Sequence, residues 1–259
     1  MKGKLYALDL FSGIGGNSIG LKDYIQTVAY CEADRHAQAV LLSRMSAGDL
    51  PVAPICTDIL GLDGYSFRGK VDIIIAGFPC QDISVAGKGA GLEGERSGLF
   101  FEIIGLAKEI QPTFLFLENV PAIRTRGLDT VIQELTEAGY DCRWTMLSAA
   151  DVGAPHKRER WFCLARRRLP NSRSEHDQSE FGSMEQTSCE GQQQIRRDGP
   201  NCMGPSKLES LNWETEPDMD RVVNGLPLRV DRIKRLGNAV VPEQARAAFE
   251  ILMGIDNTK

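Results

Sequence analysis

Cys80 stands in the run Gly77-Phe78-Pro79-Cys80-Gln81-Asp82-Ile83-Ser84, directly after the apolar stretch Val71–Ala76. A thiolate at a strand-to-loop junction can act as a nucleophile. Gly87, Gly89, Gly91, Gly94 and Gly98 follow, which suits a loop that closes over a substrate. The next apolar stretch, Phe114-Leu115-Phe116-Leu117, ends in Glu118-Asn119-Val120-Pro121. If the two stretches are neighbouring strands, Cys80 and Glu118 meet at one edge of a sheet. A nucleophile beside a carboxyl group that stays protonated suits attack on an electron-poor ring. The same residues also have plainer uses: a free cysteine fills a core, and a glutamate there caps the segment that follows.

A second constellation opens the chain. Asp9-Leu10-Phe11-Ser12-Gly13-Ile14-Gly15-Gly16 follows the first strand-like run, and its glycines let backbone approach a ligand closely. The spacing departs from the dinucleotide pattern GxGxxG because position 18 is Ser, so a bound pyrophosphate is not indicated. Thr27–Cys31 leads into Glu32, a carboxylate placed where an open α/β sheet grips a ribose. Thr57-Asp58-Ile59 puts another acid where a third strand would end, suited to accept from an adenine amino group. Each acid alone is equally a helix cap or a solvated turn residue. In this order they suggest a cofactor with a nucleoside and no diphosphate, a description that S-adenosylmethionine fits.

The elements that must carry these residues are legible as alternation. Leu5–Asp9, Thr27–Cys31, Val71–Ala76 and Thr113–Leu117 read as strands, the last two apolar enough for burial on both faces. Arg35–Ser46, Leu99–Ile110 and Leu128–Ala138 have helical length and period, with Gly139 as a C-terminal cap. Tyr140–Leu147 and Arg160–Arg166 read as further strands. Such alternation predicts an α/β domain with a mostly parallel sheet flanked by helices. From Pro170 to Asn212 only about one residue in five is apolar, too few to bury a core. After Pro242, the segment Glu243–Leu252 places Ala245, Ala248, Phe249 and Leu252 on one helical face, expected to pack back on the sheet.

Composition narrows the classes. The chain has 259 residues, 42% hydrophobic and 25% charged, with a formal net charge of −5, ordinary for a folded globular protein. No apolar run approaches the roughly 20 residues of a membrane span, and the strand-like start by residue 4 argues against a signal peptide. Seven cysteines without a CxxC pair, beside three histidines, point to a reducing cytoplasm and away from a disulfide scaffold or a metal site. The mild acidity argues against coating nucleic acid by overall charge, but not against a local basic surface.

Taken in order, Phe-Ser-Gly-Ile-Gly-Gly, Gly-Phe-Pro-Cys-Gln, Glu-Asn-Val, Arg158-Glu159-Arg160 and Arg235-Leu236-Gly237-Asn238-Ala239-Val240 resemble the bacterial and phage cytosine-5 DNA methyltransferases. The resemblance covers about residues 4–168 and 221–252. It implies a Rossmann-like, S-adenosyl-L-methionine-dependent methyltransferase fold with a small irregular target-recognition insert. On that reading residues 1–168 and 228–259 form the catalytic domain and 169–227 the recognition region. It implies a monomer acting on double-stranded DNA in a bacterial or phage-infected cell, with a restriction endonuclease for the same site as a further partner, and neither metal nor membrane.

Residue by residue, the resemblance implies that Cys80 attacks C6 of a cytosine rotated out of the duplex. Glu118 holds N3 and the exocyclic amine, while Arg158 and Arg160 supply positive charge that favours the thiolate. Arg160 also resembles the arginine that touches the base oxygen and its phosphate. Phe11 flanks the cofactor adenine, Glu32 binds the ribose, and Asp58 with Ile59 lies at the adenine amino group. Gly13 and Gly15 line the methionine moiety, with Pro79, Leu99 and Asn238 closing the pocket; Leu99 is equally a helix core residue. Ser84, Lys157, Arg173, Arg196 and Arg197 are the implied DNA contacts, with Lys207 the remaining base of the recognition region.

Two departures stand out. The family's Gln-x-Arg-x-Arg reads His156-Lys157-Arg158-Glu159-Arg160 here, and His156 is not thereby a proton shuttle. Residues 156–168 carry six Lys/Arg against one Glu, a basic strip suited to phosphates, whereas residues 169–220 carry four Lys/Arg against eleven Asp/Glu. The same motifs leave two other readings open: a catalytically silent DNA-binding relative, and a methyltransferase acting on structured RNA.

Overall fold

Burial on both faces is what the central apolar runs require, and a seven-stranded sheet with helices on each side supplies it. The computed structural model describes residues 3–79, 98–168 and 239–255. The strands are β1 (Leu5–Leu10), β2 (Ile25–Cys31), β3 (Ile55–Cys56), β4 (Ile73–Gly77), β5 (Phe114–Asn119), β6 (Tyr140–Ser148) and β7 (Glu159–Arg167), in the order β3-β2-β1-β4-β5-β7-β6. The helices are α1 (Gly16–Gly20), α2 (Arg35–Ala47), α3 (Leu99–Ile110), α4 (Ile123–Arg126), α5 (Leu128–Glu137) and α6 (Pro242–Met253). Strands β1 to β5 are parallel. Strand β7 runs antiparallel to both β5 and β6. The predicted α/β class and mostly parallel sheet are therefore what the chain adopts.

Chain order reverses direction in the sheet at β1, which has β2 on one side and β4 on the other. Ligands of open α/β sheets bind at such a switch point, outside the carboxyl ends of the strands. The turn after β1, Glu32 after β2, Asp58 after β3, Phe78-Pro79 after β4 and Glu118-Asn119 at the end of β5 all come out on that edge.

Alternation along the strands divides the core in two. Leu8, Leu10, Ile74, Ala76, Leu115 and Leu117 face α3 and α5. Ala7, Ile73, Ile75, Phe116, Phe162 and Leu164 face α6 through Ala245, Ala248, Phe249 and Leu252, the four positions read from the helical period. Phe249 is wholly buried, its ring 5.6 Å from Phe116 and 5.3 Å from Tyr24. Pro242 occupies the first turn of α6, where its missing N–H has no helical acceptor to lose. Gly139, at φ 88°, follows α5 and stops it as expected.

The short elements differ from expectation. Strand β3 has two residues, and α1 and α4 are a turn or so long. The basic residues of 156–168 do not form one strip. Strand β7 carries Arg160 at the switch-point edge and Arg166 and Arg167 to the other end, about 20 Å away at the usual rise per residue. There Arg167 and Arg168 bind Gln111 and Asp141.

Truncating Phe249 to Ala leaves a cavity under the α6 face, and we expect a loss of about 3–5 kcal/mol of unfolding free energy. Urea denaturation followed by circular dichroism measures it; a change below about 1 kcal/mol would mean that α6 is not packed as described.

Candidate active site

Parallel pairing of β4 with β5 sets Gly77 opposite Glu118. Two residues before Cys80 in sequence, the carbonyl of Phe78 accepts from Asn119 Nδ2 at 3.0 Å, while Asn119 Oδ1 accepts from the Val120 N–H at 2.8 Å. One side chain thus ties the exit of β4 to the exit of β5. Phe78 is buried against Phe100 of α3, and Pro79 is exposed. Cys80, Ser84, Arg173, Arg196, Arg197, Lys207 and Asn238 lie outside the described residues.

Glu118 is 8% exposed, and Arg160 Nε lies 2.9 Å from its Oε1. Burial pushes the Glu118 carboxyl up to about 7, against the opposing pull of Arg160 and Arg158. This carboxyl therefore exchanges its proton near neutrality. Arg160 also donates from Nη1 to the Glu159 carbonyl. Arg158 donates from Nη2 to the Ala239 carbonyl at 2.5 Å, and burial and Arg160 pull its guanidinium down. Gln244, fully buried in α6, donates from Nε2 to the carbonyls of Leu147 and Arg158, each at 2.7 Å. Two arginines and one carboxyl leave the charge of these three groups positive in either state of Glu118, less so when it is ionised. His156 and Lys157 are exposed.

The turn after β1 is held by its own polar atoms. Ser12 Oγ donates to the Asp9 carbonyl at 2.6 Å, and the Ser12 N–H reaches the Cys31 carbonyl. Gly13 sits at φ 54°, and a Cβ there would meet nothing within 4 Å among the described residues, so that side can receive a ligand. Gly15 differs: its φ of 84° favours glycine, and a Cβ there would fall 2.6 Å from the tip of Leu50, on the packed side of the turn. Phe11, half-buried, is one of two non-glycine residues with positive φ among those described, at 53°. Such strain concentrates at sites where the backbone must present a side chain.

Glu32 has a structural task that its sequence position did not disclose. Its Oε2 accepts from the Gly13 N–H at 2.7 Å and its Oε1 from the Asp34 N–H at 2.8 Å, so it clamps the glycine turn to the exit of β2. Each oxygen keeps a second lone pair for a hydroxyl donor. Asp58, exposed, caps the turn Ile59–Gly61 through Leu60 N–H at 3.0 Å, and Ile59 is buried beneath it. Leu99 begins α3 and is half-buried against the core.

Asp9 was legible only as part of a motif, yet it is 1% exposed and pushed up to about 7 by burial, with Ser18 opposing and Glu32 adding to the rise. Ser18 Oγ donates to its Oδ2 at 2.6 Å and lies 3.0 Å from Thr27 Oγ1. Asp9 Oδ1 has no hydrogen-bond partner among the described residues. Among those residues no group of three or more His, Cys, Asp or Glu could hold a metal, and no helix is long and apolar enough to cross a membrane.

Residues 5–215 match the C-5 cytosine-specific DNA methylase family. The chain belongs to that family. It is 38% identical over 162 residues to the type II methyltransferase M.CviJI of Paramecium bursaria Chlorella virus IL3A, covering 62% of this chain and 43% of the relative. It is 39% identical over 162 residues to the type II methyltransferase M.NgoBI of Neisseria gonorrhoeae, covering 61% of this chain and 49% of the relative. The chain spans under half the length of these curated relatives. A DNMT2 mutant of Spodoptera frugiperda aligns at 25% identity and a TM-score of 0.52, over 66% of this chain and 54% of that one. A solved putative DNA modification methyltransferase encoded within an Escherichia coli prophage aligns at 28% identity and a TM-score of 0.51, over 63% of this chain and 47% of that one. The fold is thus the α/β fold of methyltransferases.

Both buried acids hold a proton in the folded state that they release when unfolded, so stability falls as pH rises through the interval between the two states' values. We expect the urea midpoint to drop between about pH 4 and about pH 7, and Asp9→Asn to flatten that slope. An equal slope in the variant would show that Asp9 is ionised throughout.

Proposed function

We propose that this chain transfers a methyl group from S-adenosyl-L-methionine to C5 of a cytosine in duplex DNA. The observation that carries the reading is Glu118: a carboxyl buried beside Arg160, poised near neutrality, at the end of the strand paired with the one that leads to Cys80. Family membership supports it independently.

Ring atoms of a stacked base are out of reach of side chains, so the cytosine must leave the duplex, at a cost of about a few kcal/mol. The Cys80 thiolate then adds to C6, and the displaced electron pair makes C5 nucleophilic. Glu118, protonated, donates to N3 as negative charge builds there; ionised, it accepts from the exocyclic amine. Arg160, 9% exposed, keeps the carboxyl oriented and is placed to meet the base oxygen. After methylation, loss of the C5 proton and departure of the Cys80 sulfur restore the ring. A free thiol has a pKa of about 8.5, and the positive charge of Arg158 and Arg160 would enlarge its reactive fraction.

S-adenosyl-L-methionine supplies the electrophilic methyl. The residues present fit it: Gly13 offers an open backbone face, Phe11 a half-buried ring, and Glu32 and Asp58 carboxyl oxygens at successive strand ends. Pro79, Leu99 and Asn238 are the proposed closing residues. Residues 169–227 are the proposed recognition region, with Ser84, Lys157, Arg173, Arg196 and Arg197 as backbone contacts.

Full-length protein incubated with tritiated cofactor should label unmethylated duplex DNA and leave tRNA unlabelled. Label on tRNA alone would move the substrate to RNA, and label on neither would favour a silent relative. Cys80→Ser should bind cofactor normally and transfer methyl at least about a thousandfold more slowly. Undiminished turnover would remove Cys80 as the nucleophile. Glu32→Ala should weaken cofactor binding about tenfold or more, read by calorimetry, as one charge-assisted hydrogen bond is lost.

A further inference from the structure

Within the turn after β1, Phe11 at φ 53°, Gly13 at 54° and Gly15 at 84° all stand in the left-handed region. A turn of this kind keeps its shape only where its surroundings over-determine it. Most of the restraint comes from the sheet and from the turn itself. The Ser12 N–H donates to the Cys31 carbonyl at 3.1 Å, the Gly13 N–H to Glu32 Oε2 at 2.7 Å, and the Gly15 N–H to the Ser12 carbonyl at 2.8 Å. A further restraint comes from α2, a helix to which the chemistry above assigns nothing. Arg44, in the last turn of α2, donates from Nη1 to the Ile14 carbonyl. The Ile14–Gly15 peptide is therefore held at both ends, its N–H by Ser12 and its C=O by Arg44.

The helix is built to make that hold firm. Leu41 stands one turn before Arg44 on the same face of α2, and a Cβ on Gly15 would fall 3.1 Å from its Cδ2, so this face is seated on the turn. Asp34 caps the start of α2 by accepting from the His36 and Ala37 N–H groups, and Leu41 and Met45 are buried with Tyr30 and Leu50. Arg44 itself is half-buried and makes no ion pair among the described residues. A charged donor of this kind binds a carbonyl about twice as strongly as a neutral one. We propose that Arg44 is a positioning residue for the cofactor, fixing the Ile14 carbonyl so that the Gly13–Gly15 backbone keeps the form that receives the methionine moiety of S-adenosyl-L-methionine. The proposal rests on the cofactor reading above. The nucleoside end stays with Glu32 and Asp58, to which Arg44 makes no bond, and Glu32 keeps its own anchor in the Asp34 N–H at 2.8 Å.

The first readout needs no cofactor. Arg44→Met keeps an unbranched stem and a good helix former while removing the donor. In full-length protein without ligand, amide hydrogen exchange read by mass spectrometry should quicken about tenfold in the peptide holding Gly13 and Gly15, and stay at the wild-type rate across α2. The second readout is calorimetry. Arg44→Met should weaken S-adenosyl-L-methionine about tenfold, the equivalent of one hydrogen bond, and shift adenosine by less than about twofold. Should the methionine variant fail to fold, Arg44→Gln, too short to reach the carbonyl, is read in its place with the same expected losses. Wild-type exchange in the turn overturns the proposal, as does faster exchange throughout α2, which would make Arg44 a packing residue of the helix. An equal loss for adenosine, or no loss for either ligand, overturns it too. A wild type that binds no S-adenosyl-L-methionine would sink the proposed function and leave the exchange result standing.

Discussion

A carboxyl group taken almost wholly out of water at the end of β5 is the constraint around which this site is built. Desolvation favours its neutral form, and the Arg160 guanidinium at 2.9 Å favours its charged form. Neither wins outright, and burial holds the advantage, leaving the group near 7 rather than in the usual carboxylate range. A more exposed glutamate would stay ionised at neutral pH, and one buried without arginine would never ionise. Only the intermediate case can both give and take a hydrogen bond at neutral pH. Asn119, Arg158 and Gln244 all serve to keep the partners of that balance in place.

Sheet order explains why the remaining polar residues arrive together. With β1 at the switch point, the exits of β3, β2, β1, β4 and β5 follow each other along one edge at the strand spacing of about 4.8 Å. An elongated ligand can then be met at successive places by residues distant in sequence. Glu32 shows how tightly the parts are coupled, because the carboxylate that could meet a ribose is also the acceptor that holds Gly13 in its positive-φ turn. Loss of that side chain would disturb the exits of β1 and β2 at once.

Much of this was legible in the chain. Central strands announced themselves through Ile73-Ile74-Ile75 and Phe114-Leu115-Phe116-Leu117, since only strands buried on both faces need apolar residues at every position. The last helix was legible from its period, and the edge shared by Gly77 and Glu118 followed from two adjacent parallel strands. What stayed hidden was set by tertiary contact. The alternation in Tyr140–Leu147 and Arg160–Arg166 is the same for either strand direction, so sequence did not disclose that β7 enters the sheet antiparallel. The apparent basic strip was an effect of reading a line of residues, which a strand of nine residues pulls apart. Asp9 was legible as the end of the first strand, but not its burial, which the Ser18 hydroxyl, itself beside Thr27, makes possible.

The antiparallel entry of β7 has a consequence for how the site is assembled. A parallel strand beside β5 would deliver its carboxyl end to the switch-point edge, and Arg166 and Arg167 would face the ligand. Running the other way, β7 begins there, so Arg158 and Arg160 are the arginines beside Glu118. The start of β7 is fixed from the end of the preceding strand, where the Ala149 N–H donates to the Arg158 carbonyl at 3.0 Å and Leu147 pairs with Arg160, and also from far along the chain. Ala239 accepts from Arg158, and Gln244 binds the carbonyls of Leu147 and Arg158. The helix that covers one face of the core through Phe249 therefore also sets the arginines that tune the buried carboxyl.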